Sequence, residues 1–189
     1  MKCKTAIDIT TFTSINNTRP YFLDTNVLYW YTYPRIISAL PRNAEVYYDF
    51  IDSLVAGGNP LYTSIYNLTE LLNVIEKNEY ELYSKLHPEL PYTKKDYRKI
   101  SDERKALKTT LSTSLENVKA ICSVLSFQFE LKTLDSFVTQ LSEHRCDIFD
   151  YAILRNCIAD GKINIISDDN DFSTMESINL YTANPNSFQ

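Results

Sequence analysis

Apolar residues along this chain fall into short runs that alternate with helical stripes. Tyr21-Phe22-Leu23, Leu61-Tyr62-Thr63 and Ile163-Asn164-Ile165-Ile166 are brief apolar runs of the kind that form buried strands. A helix is expected from Asn26 to Tyr33, limited by Pro34. After Asn43, read as an N-cap, Tyr47, Phe50, Ile51 and Leu54 recur at i, i+3, i+4 and i+7, and Gly57-Gly58 closes that helix with a left-handed cap. Ser64 caps a further helix whose apolar face is Leu68, Leu71, Leu72 and Ile75. Residues 76–100 are polar and Tyr-rich, with Pro88 and Pro91 breaking any helix. A long helix is expected from Asp102, with a seam of Leu107, Leu111, Leu115, Val118, Cys122 and Leu125. That seam suits internal core packing more than an intermolecular coiled coil, although it would equally serve a homodimer. Phe129–Leu134 reads as a strand and Phe137–Glu143 as a short helix. Asp147 then caps a helix from Ile148 to Ala159 that stops at Gly161, and Ile178–Tyr181 reads as a strand at the sheet edge.

Strands that alternate with helices predict an α/β fold with a mostly parallel sheet covered on both faces. The expected organisation is an N-terminal arm or edge strand over residues 1–19, a single domain over 20–182, and a tail over 183–189. In sheets of this kind, sites form at the carboxyl ends of the strands.

Four acid-bearing stretches lie where such ends or helix starts are expected. Asp24 follows Tyr21-Phe22-Leu23, Glu70 sits in a Leu-rich helix, Asp150 lies in the first turn after Asp147, and Asp169 and Asp171 follow Ile165-Ile166-Ser167. Each acid alone has a structural use as a cap or turn residue, and Glu70 is the hardest to explain in that way. Gathered on one rim, they form a pocket of like charges that divalent cations would stabilise. Carboxylates are the ligands that Mg²⁺ and Mn²⁺ prefer, and such ions activate water and steady a phosphodiester.

Composition changes this picture in three ways. The chain has 189 residues with 44% hydrophobic and 23% charged, an ordinary globular balance. Its net charge of −5 argues against a general nucleic-acid binder, but the five acids just named account for all of it. Three glycines exclude a Gly-rich phosphate loop. Cys3, Cys122, Cys146 and Cys157 form no C-x-x-C pair, and His144 with Cys146 does not make a zinc site, so reduced thiols are expected. The N-terminal stretch lacks a continuous apolar region and no run reaches membrane-spanning length, so a cytoplasmic protein without a signal peptide or membrane contact is expected.

The acid motifs also carry a resemblance. Asp-Thr-Asn-Val-Leu after a strand, Glu in a Leu-rich helix, Asp-x-Ala at a helix start, and Ile-Ile-Ser-x-Asp-x-Asp-Phe together resemble PIN domain nucleases, over about residues 20–182. The resemblance implies a PIN-like three-layer α/β/α fold and metal-dependent hydrolysis of RNA with Mg²⁺ or Mn²⁺. It implies a site of Asp24, Glu70, Asp150 and Asp169, with Asp171 as a fifth metal-binding acid and Asn26 and Ser167 as polar support. Glu70 would complete the site or orient the attacking water. Many such domains are toxins of toxin–antitoxin pairs, so an antitoxin or other protein inhibitor is an implied partner beside the RNA substrate. Ser167 stands where threonine is common in that family. Glu70 and Asp150 are farther apart than in compact toxin members, which assigns a helical insertion to about residues 76–125.

The insertion holds the one basic stretch: Lys94, Lys95, Arg98, Lys99, Arg104, Lys105 and Lys108, with Tyr92 and Tyr97 interleaved. It reads either as a surface for an RNA backbone with tyrosines for stacking, or as a solvated helix face with local ion pairs. Three other readings compete with the nuclease. A HAD-type phosphatase requires an acid where Asn26 stands, and an RNase H-like two-metal nuclease begins with hairpin strands that this pattern lacks. A catalytically silent PIN-like binding module would usually have lost some of the acids.

Overall fold

The computed structural model describes residues 5–12, 18–34, 43–89 and 93–188. Six strands form one sheet: β1 (Thr5–Asp8), β2 (Tyr21–Leu23), β3 (Leu61–Ser64), β4 (Cys122–Leu125), β5 (Asn164–Ile166) and β6 (Asn179–Thr182). Their order is β1-β6-β5-β2-β3-β4, and every neighbouring pair is parallel. All carboxyl ends therefore share one edge. From β2 the chain builds outward through β3 to β4, then returns to β2's other side with β5 and β6. The crevice between β2 and β5 is the point where the winding reverses, the usual place for a site in such sheets.

Among the described residues seven α-helices accompany the strands: α1 (Thr25–Thr32), α2 (Ala44–Ala56), α3 (Ile65–Leu86), α4 (Lys94–Tyr97), α5 (Ser101–Ile121), α6 (Leu131–Thr139) and α7 (Ile148–Ala159). The two-residue period of the strands sorts their side chains between two cores. Tyr21, Leu23, Ile166 and Tyr181 face a cluster with Val27 and Leu28 of α1, Tyr47 and Ile51 of α2, Leu71 and Ile75 of α3, and Leu107 and Val118 of α5. Phe22, Ile165 and Leu180 face the other way, onto Tyr151, Leu154 and Cys157 of α7 and onto Phe172. The result is the expected three-layer α/β/α arrangement.

Several local expectations are revised. α3 does not stop near residue 76 but runs to Leu86, because Glu76 and Glu79 are buried with partners rather than exposed. Glu76 meets three cations, and Glu79 accepts a 2.9 Å bond from the Tyr33 hydroxyl. The long seam ends earlier than its spacing suggests. α5 stops at Ile121, and Cys122 and Leu125 lie in β4, paired with Leu61 and Ser64. The seam packs internally against α1 and α3, with Ser114 donating to the Thr32 carbonyl at 3.2 Å. The strand expected at Phe129–Leu134 is instead the approach to α6 and its first turns. At the far side, β1 pairs with β6, so the 178–181 segment is one strand in from the edge. Asn43 occupies the cap position of α2 without capping it. Its amide donates to the Ala183 carbonyl at 3.1 Å, tying the start of α2 to the chain after β6.

Cys122, Cys146 and Cys157 are buried free thiols, and Cys3 lies outside the described residues. Among those residues no helix is long and apolar enough to cross a membrane.

Candidate active site

Asp24 is the first residue beyond β2 and the N-cap of α1. It is buried, and four donors hold it. Oδ1 accepts from the Thr25 amide at 2.7 Å and from Asn67 Nδ2 at 3.1 Å. Oδ2 accepts from Ser167 Oγ at 2.7 Å and Asn26 Nδ2 at 2.9 Å. Ser167 stands at the end of β5, next to β2 in the sheet, and Asn67 lies in the first turn of α3, which follows β3 on β2's other side. Parallel pairing on both sides thus delivers the donors to one carboxylate.

The same network positions the other acids. Thr25 Oγ1 donates to Glu70 Oε2 at 2.7 Å and accepts from Asn67 Nδ2 at 3.1 Å. Ser167 Oγ accepts from the Asp169 amide at 3.0 Å, and Asp169 Oδ1 accepts from the Asp171 amide at 2.8 Å, an N-cap to the 3-10 turn Asn170–Thr174. Asn26 Oδ1 accepts from the Asp168 amide at 3.3 Å. Asn26 and Ser167 thus each bond both Asp24 and the backbone of the Asp168–Asp169 turn. Asp150 reaches the rim from the first turn of α7, whose N-cap Asp147 accepts from the amides of Phe149 and Asp150.

Electrostatics show how these acids bear on one another. Burial pushes the Asp24 carboxyl up to about 7, opposed by its bonds to Ser167 and Thr25 and reinforced by the charges of Glu70 and Asp169. Asp150 is pushed up to about 8, first by burial and then by Asp24, Asp147, Asp169 and Glu70. Asp171 is raised by burial and by Asp169, against the nearby Arg145 charge, which lowers it. No cation appears among the main charges acting on Asp24 or Asp150, so acids dominate the electrostatics of both.

This donor set suits a hard divalent cation, since every candidate ligand is a carboxylate oxygen. Two observations refine the fit. Among the described residues, no three His, Cys, Asp or Glu side chains are already drawn together as a metal cradle. Asp24, with four donors on two oxygens, has its acceptor capacity filled, so it would exchange one donor on binding a cation. Glu70 is the exposed member of the set.

Thr25 and Asn67 are functional candidates that the sequence reading missed. Asn67 could have been found, because it lies three residues before Glu70 and so on the same helix face. Thr25 carried no signal beyond its place after Asp24.

The basic stretch is not grouped with this rim. Arg98 makes a two-pronged contact with Glu76, through Nε at 2.8 Å and through Nη2, while Lys94 approaches the same carboxylate at 3.0 Å and Arg104 at 3.2 Å. Lys99 pairs with Asp96 and Lys105 with Asp102, both within one turn. Tyr97 is buried against Tyr80 and Tyr83, which removes it as a stacking surface, and Tyr92 lies outside the described residues.

No family model matches the chain, and no curated protein matches it in sequence. Among solved structures it is similar to VapBC2 from Rickettsia felis, crystallised bound to a DNA fragment from their promoter. The TM-score is 0.50 at 16% identity, over 86% of this chain and 98% of that one. At that identity the likeness speaks for the fold, which is PIN-like.

Proposed function

We propose that this chain is a metal-dependent endoribonuclease whose centre is built from Asp24, Glu70, Asp150 and Asp169, with Asp171 beside them. The observation that carries the reading is the gathering of acids at the β2/β5 crevice: buried Asp24 and half-buried Asp150, pushed up to about 7 and 8, with acids rather than cations among the charges acting on them. A bound Mg²⁺ or Mn²⁺ would neutralise that charge, supply an activated water and steady the phosphodiester oxygens. Asp24 is the anchor, held in one orientation by Ser167, Asn26, Asn67 and the Thr25 amide. Glu70 is aimed by the Thr25 hydroxyl and leaves Oε1 for a ligand or a water. Asp150 makes no side-chain hydrogen bond among the described residues, which leaves both its oxygens for the same purpose. The all-parallel sheet supports this reading over an RNase H-like one.

The resemblance to PIN nucleases and the fold neighbour VapBC2 together add a protein inhibitor, an antitoxin if the chain is a toxin, as the partner that would restrain the activity. One observation favours a second reading, a metal-free binding module: the acids are not drawn into a cradle. Incubating labelled single-stranded RNA with Mn²⁺, Mg²⁺ or EDTA separates the two. Cutting that needs metal and is lost in Asp150→Asn supports the nuclease. A folded wild type that never cuts leaves the module.

A further inference from the structure

A nuclease with this surface has to hold an anionic strand against an acidic rim. Most of the basic stretch is already engaged: Lys94, Arg98 and Arg104 converge on Glu76, and Lys99 and Lys105 pair within their own turns, leaving Lys95 and Lys108 without an ion pair among the described residues. What the rim does carry is a group of aromatic rings from three separate elements. Tyr66 lies in the first turn of α3, Phe129 in the approach to α6, and Phe149 in the first turn of α7. Their centroids are 6.2 Å apart for Tyr66 and Phe129, 5.9 Å for Phe129 and Phe149, and 6.4 Å for Tyr66 and Phe149. Phe149 is 56% exposed and Phe129 38%. The Tyr66 hydroxyl reaches the Phe127 carbonyl at 3.4 Å, which ties α3 to the segment that carries Phe129.

The position of this group gives it meaning. Tyr66 directly precedes Asn67, whose amide is 3.1 Å from Asp24, and Phe149 directly precedes Asp150. The rings and the candidate site residues therefore share the first turns of α3 and α7 at the carboxyl edge of the sheet, the edge along which a strand held at the acids would run. Aromatic side chains bind unpaired bases through their faces whatever the sequence, and do so without positive charge.

We infer that Tyr66, Phe129 and Phe149 form a stacking platform for unpaired bases of a single-stranded nucleic acid next to the cleavage site. The platform rests on the nuclease reading for its substrate and deepens it: the substrate is single-stranded, and its affinity comes from base stacking rather than from backbone ion pairs. Duplex RNA, whose bases are already stacked and paired, lacks the faces the platform needs.

The test uses the full chain and a fluorescently labelled RNA of about ten nucleotides, with binding read by anisotropy in EDTA and cleavage read with Mn²⁺. Replacing both exposed rings, Phe129→Leu with Phe149→Leu, keeps apolar area while removing the faces, and neither ring belongs to the buried core. Binding is expected to weaken about tenfold or more, within the range that stacking supplies per base. Phe149→Trp is expected to restore it in the Phe129→Leu background. In cleavage, KM rises with kcat kept, and a duplex of the same sequence binds no better than the leucine variant. Binding should fall only shallowly with salt, because few phosphates are neutralised.

Wild-type binding by the leucine pair, equal affinity for the duplex, or no binding by the folded wild type each overturns the platform. So does a leucine pair that binds RNA normally but loses concentration-dependent self-association in sedimentation, which would make the patch a protein interface. The two readings fail separately. Ring-dependent binding without any cleavage overturns the nuclease and keeps the platform, whereas cleavage lost in Asp150→Asn with ring-independent binding does the reverse.

Discussion

Glu76 and Asp150 are both acids drawn out of full contact with water, and the fold treats them in opposite ways. Around Glu76, α4 and α5 bring Arg98, Lys94 and Arg104 to one carboxylate, whose pKa is held down to about 2, first through the Arg98 hydrogen bond and against the cost of burial. Around Asp150 the sheet edge brings more acids, and burial with their repulsion pushes it up to about 8. The first arrangement is complete within the chain and fixes α3, α4 and α5 to one another. The second has no such partner among the described residues, which accords with the cation site proposed above.

The largest expected effect breaks the rim. Asp150→Asn should lower RNA cleavage by at least about a hundredfold, the upper end of what even supporting residues of a metal site cost. It should leave metal-free stability at pH 8 unchanged or higher, since Asp150 gives up repulsion and no hydrogen bond. Single-turnover cleavage and thermal melts of the same variant check both halves. Asn67→Ala, which frees Asp24 and Thr25 from a shared donor, should lower cleavage about 10-fold or more while the protein stays folded.

The complementary change breaks the complete arrangement. Glu76→Gln should cost about 1–3 kcal/mol, less than a fully buried pair because Arg98 and Arg104 are half-exposed and can reach water. Chemical denaturation measures it, and a variant as stable as wild type would mean that the three cations do not hold α3. Cleavage per folded molecule should not change.

The two regions also respond oppositely to pH. Asp24 and Asp150 bind protons more tightly folded than unfolded, so in EDTA they favour the folded state at low pH. That contribution is lost as pH rises from about 4 through about 7 and 8. Glu76, with its folded value lowered, contributes fully above about 4.5 and loses its contribution as pH falls toward about 2. Melting temperature in EDTA should therefore decline between pH 5 and pH 8, and the decline should be smaller in Asp150→Asn. The smallest effect belongs to Lys95, the basic residue beside the complete nest without an ion pair of its own among the described residues. Lys95→Ala should change stability by less than about 0.5 kcal/mol.

These two regions were unequally legible in the sequence. The rim acids could be read because each follows an apolar run or opens a helix, and a parallel sheet sends all such ends to one edge. β2, β3, α2, α7 and β5 could be read for the same reason: each is a short local pattern with its own cap or stop. The Glu76 nest could not be read, since a polar stretch from 76 to 100 gives no periodicity, and its order comes from contacts between residues some twenty positions apart. Cys122 and Leu125 continued a helical spacing that pairing with β3 overrides, and α6 has no buried residue to mark it as a helix. Asn67, the donor shared by Asp24 and Thr25, was legible only through its i, i+3 spacing to Glu70, since one amide in a helix carries no pattern of its own.

The most direct test of the central claim is a pair of thermal melts at pH 7.5, wild type and Asp150→Asn, each in EDTA and in Mn²⁺. The account predicts that Mn²⁺ stabilises the wild type, by about 2.7 kcal/mol at a hundred times its Kd, and that Asp150→Asn loses most of that gain. A wild type that melts at the same temperature with and without Mn²⁺ would contradict it.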